Sequence, residues 1–254
     1  MKVSVVTVCW NSAKTIGHTL ESFFRQDHAD KELVIVDGAS KDATLEIVRS
    51  FPSDGVVVIS EPDRGIYDAM NKGLAAFSGQ AVGFLNSDDR FKDENALSAI
   101  AEALSHSQIA FGDLDIVRSH EQGEVLRRWR SAPYRKGGFK QGWMPAHPTF
   151  YCRREVIETV GAFDLRYRVA ADYDYMLRAM ELFDFRAAPT RRVLVDMLHG
   201  GESTAGFSAH LHHNLEALDS RRRWLGAGRV DYALFAKPLR KLTQLIHPAK
   251  RAAS

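Results

Sequence analysis

Apolar and polar positions follow two rhythms along the chain. Four short, nearly continuous apolar runs, Val3–Cys9, Leu33–Val36, Val56–Ile59 and Ala81–Leu85, are rich in β-branched residues. Such runs are expected of strands buried on both faces. Between them, apolar residues recur at helical spacing: Ile16, Leu20, Phe23 and Phe24, then Leu45 and Val48, then Ile66, Met70, Leu74 and Phe77. This alternation predicts a parallel sheet with right-handed crossovers. Farther along, Ile109–Val117 and Gly123–Trp129 read as strands, and 133–142 as a loop rich in glycine and basic residues. Thr149–Cys152 is predicted as a strand, and Arg154–Val160 as a helix ended by the Gly161-Ala162-Phe163 turn. Tyr173–Leu182 reads as a helix, Val193–Leu198 as a late strand, and Ala209–Leu225 as a long helix with Leu211, Leu215, Leu218 and Leu225 on its apolar stripe. With no internal repeat, low-complexity tract or linker, the expected division is a domain over 1–205 and a basic, amphipathic helical extension over 206–254.

Composition narrows the class. Of 254 residues, 45% are hydrophobic and 26% charged, which supplies a real core and excludes disordered and collagen-like chains. Lys and Arg number 34 against 32 Asp and Glu, a net charge of +2, so the chain is not built mainly to grip nucleic acid. Cys9 and Cys152 lie far apart with no C-x-x-C pair, and read as packing thiols in a reducing compartment. Ser4 and Thr7 interrupt the first apolar run, no small-residue cleavage site comes after it, and no run approaches the roughly 20 apolar residues that cross a bilayer. A cytoplasmic protein is expected, free or peripheral on a membrane surface.

The residues just after each predicted strand carry the chemistry. The four runs lead into Trp10-Asn11-Ser12, Asp37-Gly38-Ala39-Ser40, Ser60-Glu61-Pro62-Asp63 and Asn86-Ser87-Asp88-Asp89. Open parallel sheets bind ligands outside the carboxyl ends of their strands, and here three of the four ends carry carboxylates. Those after the fourth suit Mg²⁺ or Mn²⁺, hard cations that take oxygen ligands and bridge to substrate phosphates; an ordinary turn with Asp as a helix cap fits the same residues. The chain has no G-x-G-x-x-G after its first strand, no phosphate-binding G-x-x-x-x-G-K-[ST], no H-E-x-x-H and no G-x-S-x-G, which removes the usual support for dehydrogenase, P-loop, zinc-peptidase and α/β-hydrolase chemistry.

These motifs, in order, resemble a family 2 glycosyltransferase with the GT-A fold, of the bacterial exopolysaccharide or glycolipid type. The resemblance runs from the stretch Val3 to Asn11 through Val34 to Thr44, Glu61 to Gly73 and Phe84 to Asp89, and on to His147, Gly161, Arg166-Tyr167-Arg168 and Ala171-Asp172-Tyr173-Asp174. It covers roughly the first 205 residues and implies an α/β, Rossmann-like, mostly parallel central sheet flanked by helices, with a helical tail. It further implies that Thr7, Asn11 and Asp37 lie near the base and ribose of a nucleoside-diphosphate-sugar donor. The family's Asp-x-Asp motif corresponds to Asn86-Ser87-Asp88, with Asn in place of its first Asp. Asp88 is thereby the implied ligand of Mn²⁺ or Mg²⁺, Asp89 and His199 further candidates, and Asn86 a donor contact. On the third helix, Asp68 and Asn71 are neighbours, and the resemblance turns them towards the donor. His147 falls on the acceptor side.

Asp172 and Asp174 compete for the role of general base. Two residues apart on a helix, they point in nearly opposite directions. Asp174 precedes Arg178 by four, the spacing of an exposed ion pair, while Asp172 aligns with Met176 and Met180 on the inward stripe. From spacing alone a helix cap explains Asp172; the resemblance makes it the catalytic base of an inverting transfer to a hydroxyl of a saccharide or lipid-linked acceptor. Two other readings stand beside this one: a sugar-nucleotide-forming nucleotidyltransferase and a non-catalytic sugar-nucleotide-binding module. At the carboxyl end, Arg221-Arg222-Arg223-Trp224-Leu225 and the stretch 232–251 mix basic and apolar residues. They suit either a helix on an anionic membrane surface or one packed on the domain.

Overall fold

The computed structural model describes residues 1–200 and 207–228; the stretch 232–251 therefore lies outside the described residues. The chain begins as the sequence predicts, with β1 (Val3–Cys9), α1 (Ile16–Phe24), β2 (Lys31–Asp37), α2 (Thr44–Arg49), β3 (Val56–Ser60), α3 (Ile66–Ala76) and β4 (Ala81–Phe84). It continues through β5 (Asp89–Phe91), α4 (Ala96–His106), β6 (Ile109–Val117), β7 (Val125–Trp129), β8 (Tyr151–Arg153), α5 (Arg154–Val160), α6 (Ala171–Leu177), β9 (Ala187–Leu198) and α7 (Phe207–Leu225). Short 3₁₀ turns occupy Phe139–Gln141 and His147–Thr149, and α6 runs on into a π-helical turn over Arg178–Leu182.

One sheet carries all nine strands, in the order β3-β2-β1-β4-β8-β6-β9-β5, with β7 paired to β6. Pairing is parallel through β3, β2, β1 and β4, which correspond to the four apolar runs of the sequence. Beyond β4 it is mixed: β8 lies antiparallel to both β4 and β6, while β6 and β9 are parallel. Side chains alternate across the sheet. Val3 and Val5 pack with Ile16, Leu20, Leu97 and Ile100 of α1 and α4, whereas Val6 and Val8 pack with Met70, Tyr173 and Met176 of α3 and α6. At ~1.5–3 kcal/mol for each large apolar side chain buried, these two layers supply the main drive for folding.

Three expectations change. β3 is an edge strand, with Val57 and Val58 at 38% and 47% exposure; among the described residues no strand pairs with it except β2. Met70 of α3 and Phe77 just after it are buried as the stripe predicts, but Ile66 stands 38% exposed, and Ala69 and Gly73 join the buried face. On α7 the leucine stripe divides: Leu211 and Leu215 are about half exposed, while Leu218 is buried together with Ala217, Ser220 and Arg221. Polar partners decide that orientation. Arg221 donates to the Tyr173 hydroxyl (3.0 Å), Arg223 to Asp164 (3.0 Å) and the Trp224 indole to Asp174 (2.9 Å). The basic cluster of 221–224 is thus docked on the domain. Both cysteines are buried and free, as expected.

Candidate active site

The carboxyl ends of β1, β2 and β4 are stitched into one surface. Asn11 and Ala39, at the ends of β1 and β2, both take left-handed backbone conformations, with φ of 49° and 60°. Such conformations persist only where neighbouring bonds fix them. The Asn11 amide donates to Ser40 Oγ (2.8 Å), and its side-chain oxygen accepts from the Lys41 amide (2.9 Å). Ser12 donates its amide to Thr44 (2.7 Å) and shares a hydroxyl bond with Ser87 after β4 (2.9 Å). Asp37 is wholly buried, and one of its oxygens accepts from the Ser40 amide (3.1 Å) and Ser60 Oγ (2.7 Å). The second and third loops meet closely here: a Cβ on Gly38 would sit 2.5 Å from the carboxylate end of Asp63, which would have to turn aside. Beside that junction Trp10 stands 67% exposed, an unusual position for so large an aromatic.

The acidic turn after β4 forms a corner of this surface. Thr19 of α1 donates to the Asp89 carbonyl (2.7 Å), and His120 donates through Nε2 to the Asp88 carbonyl (2.7 Å). Asp89 is buried; that burial, with Asp88 alongside, pushes its carboxyl well above the usual range. Asn86 Nδ2 donates to Asp89 Oδ2 (3.3 Å), while Asn86 Oδ1 and Asp89 Oδ1 are buried without hydrogen-bond partners. β5 continues from this turn and pairs with β9, Asp89 opposite Met197, which brings His199 to the same edge. There His199 is exposed, its amide bonded to the Val117 carbonyl (2.9 Å). Beneath the corner, Asp196 accepts from Arg90 (3.1 Å) and Lys92 (2.8 Å), and Asp115 from Arg128 (2.6 Å).

The second half of the site lies where α3 meets α6. Tyr67 donates its phenolic proton to Asp172 Oδ1 (3.1 Å), which also accepts from the Tyr173 amide (2.8 Å). His147 packs on Phe84 (5.4 Å) and Phe163 (5.9 Å), and burial lowers its pKa although Asp172 acts to raise it. Glu216 of α7 accepts from three successive amides, Arg168, Val169 and Ala170, at 2.9–3.0 Å, fixing the chain just ahead of Asp172. Alongside opens a cleft of about 470 Å³ lined by Arg64, Ile66, Tyr67, Leu165, Tyr167 and Arg168.

The structure sorts the candidates. Asp172 is half-buried at the head of α6, within reach of the cleft through Tyr67. Asp174 makes the expected pair with Arg178 (2.8 Å), but the pair is buried, because α7 covers that face with Ser220 and Trp224. Asn71 turns away from the cleft: its amide both donates to and accepts from the Phe163 backbone (3.0 and 2.8 Å). Asp68 caps the start of α3, bonded by the amide and guanidinium of Arg64 (3.0 Å each), which hold its carboxyl below the usual range. Thr7 is buried in β1. His120 and Glu216 carry no sequence signal beyond their residue type, whereas Trp10 and Tyr67 lie within the stretches that carry the family resemblance without being singled out there.

Oxygen atoms line the acidic corner, and two of them are buried without partners, so it fits a hard cation. Among the described residues, no three His, Cys, Asp or Glu side chains converge on one point. A cation there would be held by Asp88 and substrate oxygens, the usual habit of Mg²⁺.

The chain is similar to known proteins in sequence and in fold. The chain is 33% identical over 186 residues to a PGL/p-HBAD biosynthesis glycosyltransferase of Mycobacterium bovis, covering 69% of this chain and 68% of that protein. In fold it is similar to S. aureus TarS in complex with UDP-GlcNAc, with TM-score 0.63, 19% identity, and coverage of 94% of this chain and 72% of that one. It is likewise similar to the mannosyltransferase PcManGT of Pyrobaculum calidifontis in complex with GDP-Man and Mn²⁺, with TM-score 0.66, 20% identity, and coverage of 92% and 68%. The family model described as glycosyl transferase family 2 matches residues 4–161, more than half of the sequence, and the chain belongs to that family.

Proposed function

We propose that the protein is an inverting glycosyltransferase that moves a sugar from a nucleoside-diphosphate-sugar to a hydroxyl of a saccharide or lipid-linked acceptor. The observation that carries this reading is Asp172: a half-buried carboxylate with both hydrogen bonds on Oδ1, beside a cleft large enough for a sugar ring or aromatic headgroup. In the transfer, the acceptor O–H gives its proton to Asp172 Oδ2 while its oxygen bonds to the anomeric carbon from the face opposite the leaving group. The bond to the diphosphate breaks, and its electron pair leaves with the diphosphate. A divalent cation, Mn²⁺ or Mg²⁺, held by Asp88 with Asp89 behind it and His199 at the rim, supplies charge neutralisation to that leaving group.

The donor lies over the stitched loops, the exposed Trp10 ring offering a face to the base. Asn11, Asp68 and Asn86 border the donor, while Thr7, Asp37 and Asn71 shape its floor from behind. UDP-GlcNAc and GDP-Man in the structural neighbours support a sugar-nucleotide donor, and the mycobacterial relative, a biosynthetic glycosyltransferase, supports transfer in the direction of synthesis. No helix of the described residues is long and apolar enough to cross a membrane. A lipid-linked acceptor would be met by peripheral contact. A panel of UDP-, GDP- and dTDP-sugars with Mn²⁺, scored by hydrolysis, identifies the donor. Asp172→Asn should then bind it with unchanged affinity and turn it over at least a hundredfold more slowly; parent-like turnover rejects the assignment.

A further inference from the structure

We propose that Tyr67 is a positioning residue for the transfer, its phenolic O–H selecting which oxygen of Asp172 takes the acceptor proton. This rests on the reading of Asp172 as the general base. The hydrogen bonds to that carboxylate from Tyr67 and from the Tyr173 amide converge on Oδ1 (3.1 and 2.8 Å). Two donors on one oxygen fix the rotation of the group and leave Oδ2 as the oxygen that takes the proton in this reading. With the Tyr173 amide alone, the carboxylate could turn about its Cβ–Cγ bond.

Tyr67 is itself held in place. Its ring packs on Phe163 (5.7 Å), and one turn along α3 Asn71 grips the Phe163 backbone in both directions. The same helix therefore fixes the donor hydroxyl and the loop behind it. Burial, with Asp172 beside it, pushes the phenol well above its usual pKa, so it keeps its proton and remains a donor at any working pH. Other ionisable groups face the pair from each packed element. His147 approaches Asp172 from the 3₁₀ turn, and burial favours its neutral form. Glu216 approaches Tyr67 from α7, its carboxylate already bonded by the amides of 168–170. On α6 itself, Asp174 is paired with Arg178. Among these groups Tyr67 alone places a side-chain hydrogen on Asp172.

Tyr67→Phe removes the O–H and keeps the ring. The assay is Mn²⁺-dependent hydrolysis of the sugar nucleotide that turns over fastest in the panel, with water as acceptor and the full chain as enzyme. The expected result is a kcat lower by roughly tenfold or more, with donor KM within about twofold of the parent. The acidic limb of kcat should move to higher pH, because a hydrogen bond to the charged form has been lost; a merely structural role would leave that limb in place. A kcat and an acidic limb both matching the parent would overturn the proposal. Asp172→Asn is measured alongside. If it is inactive while Tyr67→Phe behaves as the parent, the role of Tyr67 fails and the base stands; if it is fully active, both fall.

Discussion

Replacing Asp174 by Asn separates the two acidic residues of α6 by their physics. The Asp174 side chain is wholly buried and faces an Arg178 side chain that is only 10% exposed. Its Oδ2 accepts from Arg178 Nε (2.8 Å), and its Oδ1 from Ser220 Oγ (2.8 Å) and the Trp224 indole (2.9 Å). An amide retains one acceptor oxygen and sets an NH₂ against either the guanidinium or the α7 donors. Removing one partner of a buried pair costs ~3–5 kcal/mol, because the remaining charge is uncompensated. Arg178 keeps bonds to the Val160 and Ala162 carbonyls, which places the cost near the lower end, at ~3 kcal/mol. For a domain of this size that lowers Tm by about 6–12 °C. Thermal unfolding followed by circular dichroism reads the loss, and donor hydrolysis well below Tm should continue at more than a third of the parent rate. A Tm within about 2 °C of the parent, or turnover abolished in a folded variant, would refute the division between a chemical Asp172 and a structural Asp174.

Two further perturbations probe opposite ends of the sheet. Burial alone would raise the Glu32 pKa, but bonds from Ser4, from the amide and hydroxyl of Ser78 and from Lys2 outweigh it and hold the carboxyl down to about 2. A depressed acid stabilises the fold above its unfolded pKa, near 4.5, and loses that contribution as pH falls towards 2. The stability advantage of the parent over Glu32→Gln, measured by urea unfolding, should therefore shrink by ~1 kcal/mol between pH 6 and pH 4; a constant difference would show that the carboxylate is not held down. At the acidic corner, Asn86→Asp replaces the amide donor to Asp89 with a second carboxylate, at a cost of ~1–3 kcal/mol. Melting in EDTA should show that loss and saturating Mn²⁺ should reverse it, whereas an unchanged Tm in EDTA contradicts the assigned contact.

How much of the molecule is legible in its sequence depends on the range of the interactions. β1 and β6 run over the residues predicted, and β2 to β4 start or end within two residues of the prediction, because continuous β-branched runs report burial on both faces. α4 has no counterpart among the predicted elements although Leu97, Ile100 and Leu104 keep a helical period and are buried, since alanines dilute its apolar signal. β5 is three residues long and owes its existence to β9, a hundred residues later, so no local pattern announces it. The inward face of α7 keeps Leu218 but leaves Leu211 and Leu215 outside, because Ser220, Arg221 and Trp224 find hydrogen-bond partners on α6 that leucine could not use. In the site, motif order locates the acidic corner and Asp172. It does not distinguish a residue facing substrate from one behind it. Asn71 is the clear case, its amide closing on a backbone ninety-two residues away.

The strand order has a consequence for synthesis on the ribosome. β1 to β4 pair among themselves, so this half of the sheet can assemble from local βαβ units as soon as it emerges. β5 is bonded early by Thr19 and Ser22 of α1, but it gains a strand partner only when β9 threads between it and β6. The chain ahead of Asp172 is fastened later still, when Glu216 arrives to take the three amides. A nascent chain therefore holds a nearly finished parallel half-sheet long before β5 and the segment ahead of Asp172 are fastened.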